Sequence, residues 1–297
     1  VAAPVWQELG LPGLVDVHVH VMPPNVERKV WAYFERAEAH YGREWPVTYA
    51  WPLPERRAEL AALGVRAYPG LVYPHKAGMA EWLTDWALEY AGETPEVVPS
   101  ATFYPEPGAG AYVSSALTRG ARIFKAHLEV GRYDPRDPLL DDVWGTLADA
   151  GVPVVAHCGD GPVPGPFTGV GPMGEVLVRH PRLRVVVAHM GIPRYGDFLD
   201  LAARYPSVML DTTMAFTDFA EATAPFPRER LAELRDLGQA GRILLGSDFP
   251  SIPYRYEHQI EALIRLDLGD DWLRQVLWTA PATALGVSSA QGSTTVE

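Results

Sequence analysis

Eight short apolar runs, each followed by a stretch of helical character, constrain the fold of this chain more than any other property. The runs occupy residues 14–20, 65–73, 97–104, 121–128, 152–158, 183–190, 208–212 and 243–248. Helix-like segments follow at 78–90, 109–118, 139–150, 174–180, 197–205 and 228–237, with 26–40 and 54–63 after the first run and 254–266 and 271–278 after the last. Glycine or proline marks the short turns between them. Strands that alternate with helices in this way predict a parallel sheet. Eight units within 297 residues fit a closed (β/α)8 barrel better than an open sheet. One domain over residues 1–287 is expected, followed by a small, polar tail at 288–297 that is expected to be disordered.

The first run, Leu14-Val15-Asp16-Val17-His18-Val19-His20, carries an acid and two imidazoles. Alternation along a strand predicts that Asp16, His18 and His20 share one face and that Val15, Val17 and Val19 pack on the other. Two imidazoles on adjacent same-face positions can grip a metal ion, although two hydrogen-bonded histidines at a polar strand end would look the same. Other strands must therefore supply further ligands. In a (β/α)8 barrel the site is built at the C-terminal ends of the strands. There the fourth run carries Lys125 and His127, the fifth ends in His157, the sixth in His189 and the eighth in Asp248. Each polar group closes an apolar run, which points to a metal centre at the barrel mouth.

The set Asp16-His18-His20, His157, His189 and Gly246-Ser247-Asp248-Phe249-Pro250 resembles the amidohydrolase superfamily, in its amidohydrolase-related branch of decarboxylases and lactonases. The resemblance spans essentially the whole chain, with the motifs in the family's order. It implies a metal held by His18, His20, His157 and Asp248, with His189 contacting substrate or the activated water. Imidazoles plus one carboxylate suit Zn2+, which lowers the pKa of bound water to about 7. Asp248 could then accept that water's proton as general base. One ion is expected, or two if Lys125 is carboxylated and bridges to a second ion on His157 and His189. Lys125 could instead bind a substrate carboxylate or pair with a nearby acid. Decarboxylases of this branch often begin Glu-x-His-x-His, so Asp16 tips the expectation toward hydrolysis of a small lactone, amide or ester. Decarboxylation of a small carboxylic acid is the alternative.

Composition narrows the partners. A net charge of -12 argues against a nucleic-acid partner. It leaves room for a small anionic substrate, such as a carboxylated one, where a metal and local cations prevail. No stretch approaches the roughly 20 apolar residues of a membrane span, and 1–6 lacks the basic and apolar regions of a signal peptide. Cys158 is the only cysteine, so no intramolecular disulfide can form and a cytoplasmic setting is expected. Nothing in the composition opposes a homo-oligomer.

Lesser features carry their own expectations. The aromatic, proline-rich stretch 41–54 reads either as a loop packed on its own rings or as a loop covering substrate. Trp82, Trp86 and Tyr90, four apart, read as core. Cys158 reads as buried packing. Gly169-Val170-Gly171-Pro172-Met173-Gly174 matches G-x-G-x-x-G but does not directly follow a strand, so a loop is expected there, not a dinucleotide site. His75, Arg132, Tyr133, Tyr254 and Arg255 lie in loops on the active-site side.

Overall fold

A computed structural model describes residues 4–288, and no helix among them is long and apolar enough to cross a membrane. Of the polar tail, all but Ser288 lies outside the described residues. The strands are β1 (Leu14–Val15), β2 (Val65–Pro69), β3 (Val97–Val98), β4 (Ser100–Thr102), β5 (Ile123–His127), β6 (Val154–His157), β7 (Val185–Val187), β8 (Val208–Asp211) and β9 (Ile243–Leu244). Only Pro99, which has no N–H to give to a ladder, separates β3 from β4, so the two fill one barrel position. All pairings are parallel, in the orders β1-β2-β3 and β4-β5-β6-β7-β8-β9. The ring closes where the Val17 N–H donates to Leu245 O at 2.9 Å and the His20 N–H to Phe249 O at 2.8 Å. The eight-position barrel expected from the sequence is the observed fold.

Burial on both faces explains why β6 and β7 are nearly all valine and alanine. In β5, Phe124 and Ala126 face outward and pack with Phe103 and Trp144, while Ile123 joins Val155, Val186, Met209 and Leu244 in a separate inner cluster. Helix Ala280–Leu285 contributes Ala280, Ala282, Ala284 and Leu285 to that inner cluster. The two-residue period then carries the inner face upward, from Ile123 to Lys125 and His127, from Val155 to His157, and from Met209 to Asp211. On the last strand it carries the face from Leu244 to Gly246. Glycine is required at Gly246, because a Cβ there would stand 2.3 Å from Thr213 Oγ1 and 3.0 Å from the His18 Cβ.

The first strand departs from the simple alternation. Val15 and Val17 belong to the inner cluster, whereas Leu14 and Val19 belong to the outer one. Asp16 therefore does not share a face with His18 and His20. Its Oδ2 accepts from the Tyr256 hydroxyl at 3.0 Å, on helix Tyr256–Ile264, and its Oδ1 accepts the His18 N–H at 2.9 Å. An aspartate that captures the N–H two residues on makes a local turn and takes that residue off the ladder. Both imidazoles turn inward only after this break.

Other boundaries shift for local reasons. The helix expected over 26–40 divides into Pro24–Phe34 and Ala37–Tyr41. Helix Ala80–Glu93 buries its small face, Ala80, Leu83, Thr84, Ala87 and Ala91. Trp82 is thus not core; it is 38% exposed, while Trp86 and Tyr90 are half-buried and stack on each other. The stretch Gly169–Gly174 is also not a loop, since helix Val170–Arg179 begins immediately after Gly169.

Candidate metal centre

Three side chains of the expected set converge. His18 Nε2 lies 3.2 Å from His20 Nε2 and 3.5 Å from Asp248 Oδ1, and His20 Nε2 lies 3.1 Å from the same oxygen. His18, His20 and Asp248 are the group among the described residues whose ligand atoms are close enough to hold one ion. The partners on the far side of each ring fix which nitrogen is free. His20 Nδ1 stands 3.1 Å from Leu71 O, a pure acceptor, so it carries the hydrogen. His18 Nδ1 stands 3.0 Å from Asp211 Oδ2 and 3.0 Å from Thr213 Oγ1. Both Nε2 lone pairs therefore point at one spot beside a carboxylate oxygen. That donor set fits a divalent cation.

Asp211, which the strand-end reading passed over, organises this arrangement. It is fully buried at the end of β8. One oxygen takes His18 Nδ1, and the other accepts the backbone N–H groups of His189 at 2.9 Å and Thr213 at 3.1 Å. Burial alone would raise its pKa, but His18 outweighs that and holds it at about 2. Burial, reinforced by Lys125, lowers His18 to about 4, so the ring is neutral and ligand-ready at pH 7. Asp248 is half-buried, and hydrogen bonding from His20 and the neighbouring imidazoles hold it well below the usual carboxylate range. Its backbone adopts the left-handed conformation at φ 70°, and its N–H donates to His18 O at 2.8 Å, which swings the carboxylate toward the imidazoles.

His157 and His189 stand close by but outside the triad. His157 Nε2 lies 2.8 Å from Gly161 O, and its ring stacks on His127 at 4.0 Å. His189 sits edge-on to His18 at 5.2 Å and to His157 at 4.8 Å. Two successive non-glycine residues, His189 and Met190, are left-handed here, at φ 55° and 52°. Burial lowers His189 to about 4. Lys125 is fully buried, with its amine 2.9 Å from His18 Nε2, and burial brings it down to about 8. It does not line the cavity above the site.

That cavity has a volume of about 900 Å³. His20, His127, His157, His189 and Asp248 form its floor. Tyr33, Phe34, Tyr41, Trp45, Tyr73 and Trp82 contribute to its walls. The aromatic stretch 41–54 packs partly on its own rings, Tyr41 on Trp45 and Tyr49 on Trp51, and partly lines the cavity. Tyr49 is buried against Phe249 and its hydroxyl accepts the Tyr256 N–H, while Trp45 donates to Ser251 O and faces the cavity. Of the loop candidates, His75 and Arg132 line the cavity. Tyr133 is buried against Tyr104, and Arg255 pairs with Glu257 on the surface. Cys158 is buried, with its thiol pushed up to about 12 by burial, and so is inert packing.

Burial raises Asp16 to about 6, opposed by Ser247, the His18 N–H and Tyr256. Tyr256→Phe removes one donor to a carboxylate that is ionised at pH 7. It should cost about 1.5–3 kcal/mol there and less at pH 5, where Asp16 takes up a proton and no longer buries a charge. Urea unfolding at the two pH values checks this; an equal loss at both would contradict it.

The amidohydrolase family model matches residues 15–287. No curated protein matches the chain. Among solved structures, an uncharacterised TIM-barrel protein from Bordetella bronchiseptica is similar at 20% identity and a TM-score of 0.71, covering 94% of this chain and 99% of its own. A 5-carboxyvanillate decarboxylase from Sphingomonas paucimobilis is similar at 16% identity and TM-score 0.62, covering 93% and 99%. A probable 2-pyrone-4,6-dicarboxylic acid hydrolase from Acinetobacter baumannii, with citric acid bound, follows at 13% and 0.61, covering 92% and 99%. These likenesses establish the barrel.

Proposed function

This chain belongs to the amidohydrolase family, and on that premise we propose that it is a metal-dependent lyase that decarboxylates a small, planar organic acid. The observation that carries the reading is a donor triad of His18, His20 and Asp248 at the floor of an aromatic-walled cavity. His157 completes the proposed ligand set, since its Nε2 faces Gly161 O and its Nδ1 is left as an acceptor. Imidazoles with one carboxylate suit Zn2+. One ion is proposed, because Lys125 does not line the cavity in which His157 and His189 stand. When bound, a divalent ion supplies Lewis acidity toward a substrate oxygen.

The remaining work falls to the protein's own groups. Loss of CO2 from a carboxylate leaves an electron pair on carbon that must gain a proton. Asp248 and His189 both line the cavity floor; neither holds an acidic proton of its own at pH 7, so their part is to relay to that carbon a proton taken from water or from an acidic hydroxyl of the substrate. The aromatic walls offer a planar body contact area and exclude water from the developing charge. Hydrolysis is the second reading, favoured by an ionised Asp248 at the cavity floor beside His18 and His20, where it could take up a proton from a water at that site. The sequence signal that leaned toward hydrolysis, Asp16, has its carboxylate on the Tyr256 hydroxyl and the His18 N–H, where it supports the strand end.

The test is a panel of aromatic carboxylic acids and matched lactones, incubated with the metal-loaded protein. CO2 release, abolished by chelation and restored by Zn2+, is expected from a member of the acid set. Ring opening of a lactone with no CO2 from any acid would transfer the assignment to hydrolysis. Turnover that survives complete metal removal would end both readings.

A further inference from the structure

The chain contains three lysines against 22 arginines, and all three lysines belong to one place. Lys125 touches His18, and Lys29 and Lys76 line the cavity above it. Of the 22 arginines, Arg132 alone lines that cavity. Since 25 of the 297 residues line it, a random scatter would put neither of the two remaining lysines there most of the time. A chain that uses arginine for nearly every other cation has lysine at positions facing this cavity. The difference is physical: arginine favours fixed, forked pairing with carboxylates, whereas lysine offers a mobile point charge that follows a ligand.

The surrounding charges agree. Twelve of the other 21 arginines are held in ion pairs, such as Arg57 with Glu96 and Arg230 with Asp200 and Glu233. Lys29, Lys76 and Arg132 form no ion pair among the described residues. Lys29 lies on helix Pro24–Phe34 and Lys76 on the segment after β2, so two separate elements bring charge to one mouth. The cavity's acids are Glu129 and Asp248, and Asp248 belongs to the metal centre. On a protein of net charge -12, this cavity is lined by three cations against two acids.

We propose that Lys29 and Lys76 form an anion-binding rim that holds a second anionic group of the substrate, remote from the group at the metal centre. The substrate is then a dianion on a planar body, and the lysines select it over the corresponding monoanion. This inference rests on the cavity being the substrate site, as read above. The exposed rings of Tyr33 and Trp82 beside the lysines suit the planar body between the two anionic ends.

Benzoate and the three benzenedicarboxylates serve as probes, titrated calorimetrically into the Zn2+-loaded protein. At least one dicarboxylate should bind about 10-fold or more tightly than benzoate, the scale of one hydrogen bond to a charged group. The double variant Lys29→Gln/Lys76→Gln should lose that preference, to within about twofold, while keeping its zinc content, its melting temperature and its benzoate affinity. Both lysines are exposed, so the variant is expected to fold. A preference that persists in the double variant, or no dicarboxylate binding better than benzoate to the wild type, overturns the rim. Neither result touches the metal reading, which fails separately if zinc content is unchanged by loss of His18, His20 and Asp248.

Discussion

Asp248→Asn should lower turnover by about 10²–10⁴-fold, the range associated with a positioned proton-transfer group. The amide keeps the shape of the carboxylate and its backbone bond to His18 O, so the barrel should fold. What it loses is the charge that both imidazoles face, at 3.5 Å and 3.1 Å. Metal content by mass spectrometry, measured beside turnover, divides the effect between ligation and proton transfer. A variant with full metal and turnover within about twofold of wild type would remove Asp248 from the mechanism.

Asp211→Asn should produce the second large effect without touching substrate. Groups that orient a metal-ligating histidine are worth about 10–100-fold in metal affinity. Asp211 orients His18 through Nδ1 and also accepts the His189 N–H. Chelator competition would measure the loss. The variant should also change the acid limb of stability. Asp211 is held at about 2, below its ordinary 3.8, so its ionised form favours folding. That contribution is present above about pH 4 and is lost as pH falls toward 2. Urea curves of the metal-free wild type and variant should therefore differ at pH 7 and converge in acid. A gap that persists unchanged below pH 2 would show that the residue acts by packing alone.

The barrel was legible because its evidence is repeated: short apolar runs alternate with helical stretches around the whole ring, and one irregular unit does not hide the period. The candidate metal triad was legible for the same reason, since His18, His20 and Asp248 end such runs. Asp211 ends one too, in Val208-Met209-Leu210-Asp211, and its position on the strand could have flagged it. A lone acid with no imidazole beside it in sequence looks like a strand cap, and only the fold brings it to His18. Asp16 failed in the opposite direction. Strict alternation placed it with the histidines, but its own side chain takes the His18 N–H and breaks that alternation. Periodicity describes a strand until a side chain competes for its backbone. Trp82 shows a similar limit, because spacing told which rings share a helix face and not whether that face meets core or cavity.

The left-handed pair at His189 and Met190 has a consequence for anyone who engineers this protein. A non-glycine residue held in that region costs on the order of 1–3 kcal/mol, and here two adjoin at the catalytic floor. His189→Gly would relax one of them while deleting an imidazole from the pocket. Libraries screened only for survival at high temperature should therefore enrich replacements at this corner and return robust, inert barrels. Thermal hardening and catalysis pull this loop in opposite directions, so a useful screen must score both at once.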